Sequence, residues 1–393
     1  MRAAARVLQQ LEATLEFMHE QRRSALFRAV RALIGGGALW LSSLGRSLDD
    51  ATAAKHGIKA IDRLLGNTAL HTQRHEIYAA LARTLLRGRR QAVVLVDTTE
   101  LRPGVCALTA ALAMQGRSIP LLAQVRSKRT IGKRPSIRTF LRALQRVLPL
   151  DVEPILVTDA GFESPWFDQV AEMGWHYVGR VRHQTKFEID DGYWVGAKEL
   201  HRCAGHHARH LGYLRFPRHR PRARRLVVSP LPKHQGRTRR NIRGRKGRTV
   251  NDRRCAKSAR EPWLLCTSLQ CRSWVIVDIY AQRMQIEQNY RDTKNHRWGW
   301  RLDQSRSRSN ARLEVLMLIA AIAMFVVLAF GCFAERNALH KRFQANTLYR
   351  RRVLSFFTLG IFTLRDRHLA LMPALRELIA EIRRRLYALR LAS

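Results

Sequence analysis

The chain has 393 residues, of which 46% are hydrophobic, enough for two or three domains with a sizeable core. Its 71 Lys and Arg against 30 Asp and Glu leave a formal charge of +41 and a pI of about 11.5. That surplus exceeds what solubility needs and points to a polyanion, most simply nucleic acid, with ribosomal-type RNA binding and a basic membrane protein as the competing classes. Six cysteines are scattered at 106, 203, 255, 266, 271 and 332, with no CxxC pair and no His/Cys partner for the Cys266–Cys271 spacing. This argues against a zinc site or a disulfide framework and fits a reducing cytoplasm. The start, MRAAARVLQQLEATLEF, is amphipathic and lacks the continuous apolar core of a secretory signal.

Residues 1–85 read as a small, basic, helical domain. GIKAIDRLLGN puts Ile58, Ile61, Leu64 and Leu65 on one stripe and ends on a Gly66-Asn67 stop. From 86 the pattern turns to α/β. AVVLVD is an apolar strand ending in Asp97, and VCALTAALAMQGRSIPLLAQV is a hairpin with a turn at Gln115-Gly116. IRTFLRALQRVL is an amphipathic helix. EPILVTDAGF is a strand ending in Asp159, SPWFDQVAEMG a helix with Ser164 as cap and Pro165 at its first position, and WHYVGRVR a further strand. Residues 183–272 interrupt this order with strand-like segments at Tyr193–Val195, RRLVVSPL and PWLLCTSL, a β-rich insertion. Between Arg215 and Arg260 there are eighteen Lys or Arg and one acidic residue, Asp252; the run 236–254 has no apolar periodicity and suits a loop lying on a phosphate backbone.

Trp274–Ile279 reads as a short β-rich run leading into a polar helix, YAQRMQIEQNYRDTK. On a continuous helix Tyr280, Arg283, Glu287 and Lys294 fall within about 60° of one another, an odd surface and an odder core. Val315–Phe333 is a charge-free run of 19 residues that passes for a membrane span by length. The expectation is instead a helix buried on all sides, since it is the single such segment, is flanked by basic residues, and follows the polar helix directly. Residues 335–393 are helical and basic, with Leu-rich stripes suited to packing or self-association.

Asp97 and Asp159 at the ends of two buried strands stand at the sheet edge where α/β proteins bind ligands. Together with Glu287 they form a candidate triad of hard oxygen donors for Mg²⁺, and three carboxylates can hold two metals about 4 Å apart. Read this way the chain is a metal-dependent enzyme acting on nucleic acid. A stand-alone nuclease, a non-enzymatic nucleic-acid-binding protein and a basic membrane protein built on 315–333 stay open at this point.

The spacing Y-x2-R-x3-E-x6-K in YAQRMQIEQNYRDTK resembles the YREK signature of the DDE cut-and-paste transposases of insertion-sequence family four. The likeness extends, in order, through IDRLLGN, VLVD, GRSIPL, VTDAGFESPWF, GWHYVGRVR, EPWLLCTSL, RMQIE and RFQANT, from about residue 30 to 360. The resemblance implies a mixed α/β fold: an RNase H-like catalytic core over 86–334 with the β insertion, an N-terminal helical domain (1–85) gripping DNA ends, and a C-terminal helical region (335–393) pairing protomers. It implies that Asp97, Asp159 and Glu287 bind Mg²⁺, two ions, with Mn²⁺ as a substitute. Tyr280, Arg283 and Lys294 would contact phosphates beside the scissile bond, Trp263 would stack on a flipped base, and Arg180 would reach the active-site DNA. The implied partners are double-stranded DNA, as inverted-repeat ends and as target, and a second copy of the chain in a homodimer, with no membrane, in a bacterial, nucleoid-associated, cytoplasmic setting. Two features depart from the pattern: Asp292, an extra carboxylate expected to pair with a neighbouring cation, and the arginine density of 236–254.

Overall fold

The computed structural model describes residues 2–49, 53–182, 185–190, 192–231, 261–297, 299–345, 351–366 and 373–389. The run 236–254 and Cys255 lie outside the described residues. The fold is mixed α/β and divides into two compact units, one made of Met1–Glu153 and Met284–Ala388, the other of Pro154–Arg283 with Leu389–Ser393.

The first unit begins with five helices: α1 (Arg2–Ala13), α2 (Glu20–Gly35), α3 (Leu41–Arg46), α4 (Ala54–Leu65) and α5 (Thr68–Leu86). The apolar stripe of α4 buries Ile61, Leu64 and Leu65, and the helix stops at Gly66 as the Gly-Asn pair suggests. Asn67 belongs to the next element: its Oδ1 accepts from Leu70 N at 2.8 Å and caps α5. A three-stranded antiparallel sheet follows, β1 (Gln91–Arg102), β2 (Val105–Ala113) and β3 (Ser118–Ser127), with β2 in the middle. α6 (Arg134–Val147) packs on β3 and α5. One expectation needs correction here. β1 does not end at Asp97 but runs on to Arg102, because Thr98, Thr99 and Glu100 continue the ladder opposite Leu108, Ala107 and Cys106; two β-branched threonines suit a paired strand.

The same unit takes up the chain again at α10 (Met284–Lys294), followed by α11 (Asn310–Arg336), α12 (His340–Phe343), α13 (Phe356–Arg365) and α14 (Leu375–Arg385). α11 is long and apolar enough to cross a membrane, yet 94% of its most apolar stretch is buried inside the fold. It packs against α2, α5, α13, α14 and β3. Its one buried carboxylate is fully used: Glu314 takes Arg74 Nη1 of α5 at 2.5 Å and Val125 N of β3 at 2.8 Å.

The second unit holds β4 (Glu153–Thr158), α7 (Ser164–Glu172), β5 (His176–Val181), β6 (Lys186–Asp190), β7 (Tyr193–Gly196), α8 (Ala197–His201), β8 (Arg209–Phe216), β9 (Arg222–Val228), β10 (Leu264–Thr267) and α9 (Ser273–Ala281). β4 and β5 are parallel, and the strands continue in the order β5-β10-β9-β8-β6-β7 by antiparallel pairing. α7 starts at Ser164 with Glu163 as the cap residue, one position earlier than expected, and Pro165 sits in its first turn. It lies close on β5: a Cβ at Gly179 would collide with the Phe167 ring. Across the same layer Arg224 donates to Asp168 Oδ1 at 2.5 Å and to Phe216 O at 2.6 Å.

Two expectations about the stretch 274–294 fail together. Trp274–Ile279 is not a strand but lies within α9. Its β-branched residues favour a strand by propensity, but Val275, Ile276, Ile279 and Tyr280 are the buried set, a helical repeat, and periodicity prevails over propensity. Nor do Tyr280, Arg283, Glu287 and Lys294 share one continuous helix. α9 closes with tight bonds from Gln282 N to Ile279 O and Arg283 N to Tyr280 O, and α10 begins at Met284.

Candidate active site

In the first unit the site is built on the β1–β2 hairpin and α10. Asp97 is 8% exposed and its Oδ1 accepts from Thr98 N at 2.7 Å. In the register it faces Thr109 of β2, whose hydroxyl lies 2.5 Å from the Tyr290 hydroxyl of α10. Two residues along β1, on the same face as Asp97, Thr99 Oγ1 accepts from Lys294 Nζ at 2.7 Å, and Glu100 O accepts from the same ammonium. α10 therefore covers the face of the hairpin that carries Asp97.

Further polar anchors set the helix. Asn289 Nδ2 donates to Ser118 O at 2.6 Å and Ser118 Oγ at 2.8 Å, and Gln285 Oε1 accepts from Met114 N at 2.9 Å. Glu287 is half-buried on this helix, one turn before Tyr290 and, at i to i+7, in line with Lys294. Burial pushes the Lys294 ammonium down, opposed by Asp303, Cys106 and Glu100. Asp292 pairs with a cation as expected, Arg117 Nε at 2.6 Å. Burial nonetheless pushes its carboxyl up, with Arg117 opposing.

In the second unit Asp159 directly follows β4 and turns back on its own loop, accepting from Gly161 N at 2.8 Å. Tyr280 is 3% exposed. Burial pushes its phenol up, Arg283 and Arg180 pull it down, and Asp159 adds to the rise. Arg283, Arg180 and Asp159 thus each lie within electrostatic reach of the Tyr280 phenol. Burial pushes the Arg180 guanidinium down, with Tyr280 opposing. The half-buried Trp263 meets the Tyr280 ring edge-on, with centroids 4.9 Å apart. One unit gathers Asp159, Arg180, Trp263, Tyr280 and Arg283, and the other gathers Asp97, Glu287 and Lys294. Tyr290, Thr109 and Asn289, which set α10 on the hairpin, were not singled out in the sequence. A polar residue recurring on the buried face of a short helix is the signal that could have found them.

Among the described residues no three His, Cys, Asp or Glu cluster as a metal site. The donor chemistry of the three carboxylates still suits a hard divalent cation: each is an oxygen ligand, and one is almost wholly withdrawn from water.

No curated protein matches the chain. The family model described as the transposase DDE domain matches residues 89–325, a span that takes in both carboxylate-bearing strands, the β insertion and α10. Since that match covers more than half of its length and contains all eight candidate residues, the chain belongs to the DDE transposase family.

Proposed function

We propose that this chain is the transposase of an insertion sequence of family four, resembling the one from the element flanking the tetracycline-resistance composite transposon, and that it moves its element by cut and paste. DDE transposases act on DNA with divalent metal ions. The finer reading is that two protomers pair the inverted-repeat ends, with the N-terminal helices gripping the repeats and the C-terminal helices joining the protomers. One strand is nicked to free a 3′-OH, which attacks the opposite strand to close a hairpin. Water reopens the hairpin, and the 3′-OH then joins target DNA. Each step replaces one P–O bond by another at a phosphodiester, so a single site serves all four. The observation that carries this reading is the YREK spacing, Tyr280, Arg283, Glu287 and Lys294, inside a matched transposase domain that also holds Asp97 and Asp159.

In this reading Asp97, Asp159 and Glu287 hold two Mg²⁺ ions, which when bound activate the attacking oxygen and stabilise the leaving one. Arg180, Arg283 and Lys294 neutralise phosphate charge, and the Tyr280 hydroxyl orients it. Hairpin closure needs a strongly bent duplex, and the Trp263 indole offers a stacking face for a base turned out of it. The test is a time course on labelled element-end DNA. Asp97→Asn, Asp159→Asn and Glu287→Gln should each abolish Mg²⁺-dependent nicking while leaving DNA binding largely intact. Near-normal nicking by any one of them removes that residue from the triad.

A further inference from the structure

At the end of β5 lies a group of charges of which the reading above uses only Arg180. Alternation puts Arg180 and Arg182 on one side of the strand. β10 pairs with β5 so that Leu265 faces Arg180, and the run Glu261-Pro262-Trp263-Leu264-Leu265 brings Trp263 and Glu261 to the same side. The Glu261 carboxylate takes a hydrogen bond from Arg182 Nη2. It stands 3.9 Å from Arg180 Nη2, too far for a second one. His201, the last residue of α8, feels Glu261, Arg180 and Arg182 electrostatically.

The arginine side chains are 11% and 15% exposed. Among the described residues the Nε and Nη2 of Arg180, the Nε of Arg182 and the Nε2 of His201 are buried without a hydrogen-bond partner. Single Nε atoms are also unbonded at Arg22 and Arg23, but Arg22 donates to Gln73 and Arg23 stands alone beside Glu12. A structural ion pair in this fold looks different. Glu314 uses both oxygens, and Arg224 is bonded to both Asp168 and a backbone carbonyl. Here two guanidinium groups stand around one carboxylate, leaving surplus positive charge and buried N–H groups that are costly to leave unbonded. A tetrahedral anion with two free oxygens suits that geometry, because guanidinium forks bind phosphates through paired N–H groups.

We propose that Arg180 and Arg182 form a phosphodiester site and that the Glu261 carboxylate fills it until a DNA phosphate displaces it. The proposal rests on the DNA-processing reading above. Glu261 then acts as an intramolecular competitor: it keeps two buried arginines paired in the free protein and lowers affinity for DNA that does not reach this site. Arg182 becomes a DNA contact beside Arg180, and Glu261 a positioning residue.

The test is titration of a labelled random-sequence duplex with the full chain, read by fluorescence anisotropy at fixed salt. Glu261→Gln should tighten binding by about three- to tenfold. The control Glu172→Gln, which removes the same charge from an exposed position on α7, should change it by less than about twofold. The gain should disappear when Glu261→Gln is combined with Arg182→Ala. Binding by Glu261→Gln equal to the control, or weaker at an unchanged thermal midpoint, overturns the proposal. If Glu261→Gln lowers the thermal midpoint, the wild type decides. Water-soluble carbodiimide should label Glu261 more when the duplex is present, read by peptide mass, and unchanged or reduced labelling overturns the proposal. A wild type that binds no duplex defeats the DNA reading itself, whereas one that binds and nicks while Glu261→Gln matches the control defeats only the stand-in role.

Discussion

Two neighbouring helices of the first unit are held by different physics. α11 is apolar all round and buried, with Glu314 as its one buried charge. α10 touches its unit through Gln285, Asn289, Tyr290, Asp292 and Lys294, each with a directional polar partner. Burial of apolar surface is non-directional; it sets how deep a helix lies but leaves its rotation to steric fit. Hydrogen bonds weaken steeply as they bend, so five of them fix rotation as well. A helix that aims one carboxylate gains from the second arrangement, and the helix that closes the core needs only the first.

The sharpest way to break this contrast is steric. α11 and α13 approach backbone to backbone: a Cβ at Gly360 would collide with the Val327 carbonyl, and one at Gly331 with the Phe356 backbone. Gly360→Ala should therefore cost about 3 kcal/mol or more, measured by chemical denaturation. A loss under about 1 kcal/mol would mean that steric fit does not set this helix.

The next test separates holding from aiming. Tyr290→Phe removes the bond to Thr109 and should cost about 1 kcal/mol of stability. Nicking should fall by more than the folded fraction does, about tenfold or beyond, because small misplacements of catalytic groups are expensive. If activity drops only in step with stability, the α10 anchors are packing and no more.

The smallest expected effect is a pH slope. Burial raises the Asp292 carboxyl above its ordinary value of 3.8, against the pull of Arg117. The folded state therefore holds that proton to higher pH than the unfolded chain does. Its contribution to stability is greatest below the ordinary value and declines as pH rises through the folded one. Asp292→Asn should flatten the dependence of the thermal midpoint on pH in the range just above the ordinary carboxylate value of 3.8. An equal slope in variant and wild type places the titration elsewhere.

Much of the architecture was legible because its signals are local. The α4 stripe, the Gln115-Gly116 turn, the apolar strand ahead of Asp159 and the apolar length of α11 each follow from a short contiguous stretch of sequence. Misreadings fell where a local preference was overruled at a distance. The β-branched residues of α9 became a helix because their apolar positions bury at helical spacing, and β1 outran Asp97 because β2 supplied partners for Thr98–Glu100. The polar anchors of α10 were missed because Gln, Asn and Tyr on a short helix look like surface until Met114, Ser118 and Thr109 are set beneath them.

By itself the sequence determined the charge that implies a polyanion, much of the order of helices and strands, and the spacing of Tyr280, Arg283, Glu287 and Lys294. These are properties of composition and short-range pattern, which exist before the chain folds. Only the tertiary structure decided that this spacing is divided between two helices, that Lys294 rests on Thr99 and Glu100, and that Glu261 stands between Arg180 and Arg182. Each of these joins residues far apart in the chain. Burial and hydrogen-bond geometry, which emerge once strands pair and helices dock, choose among partners that the linear order leaves equivalent.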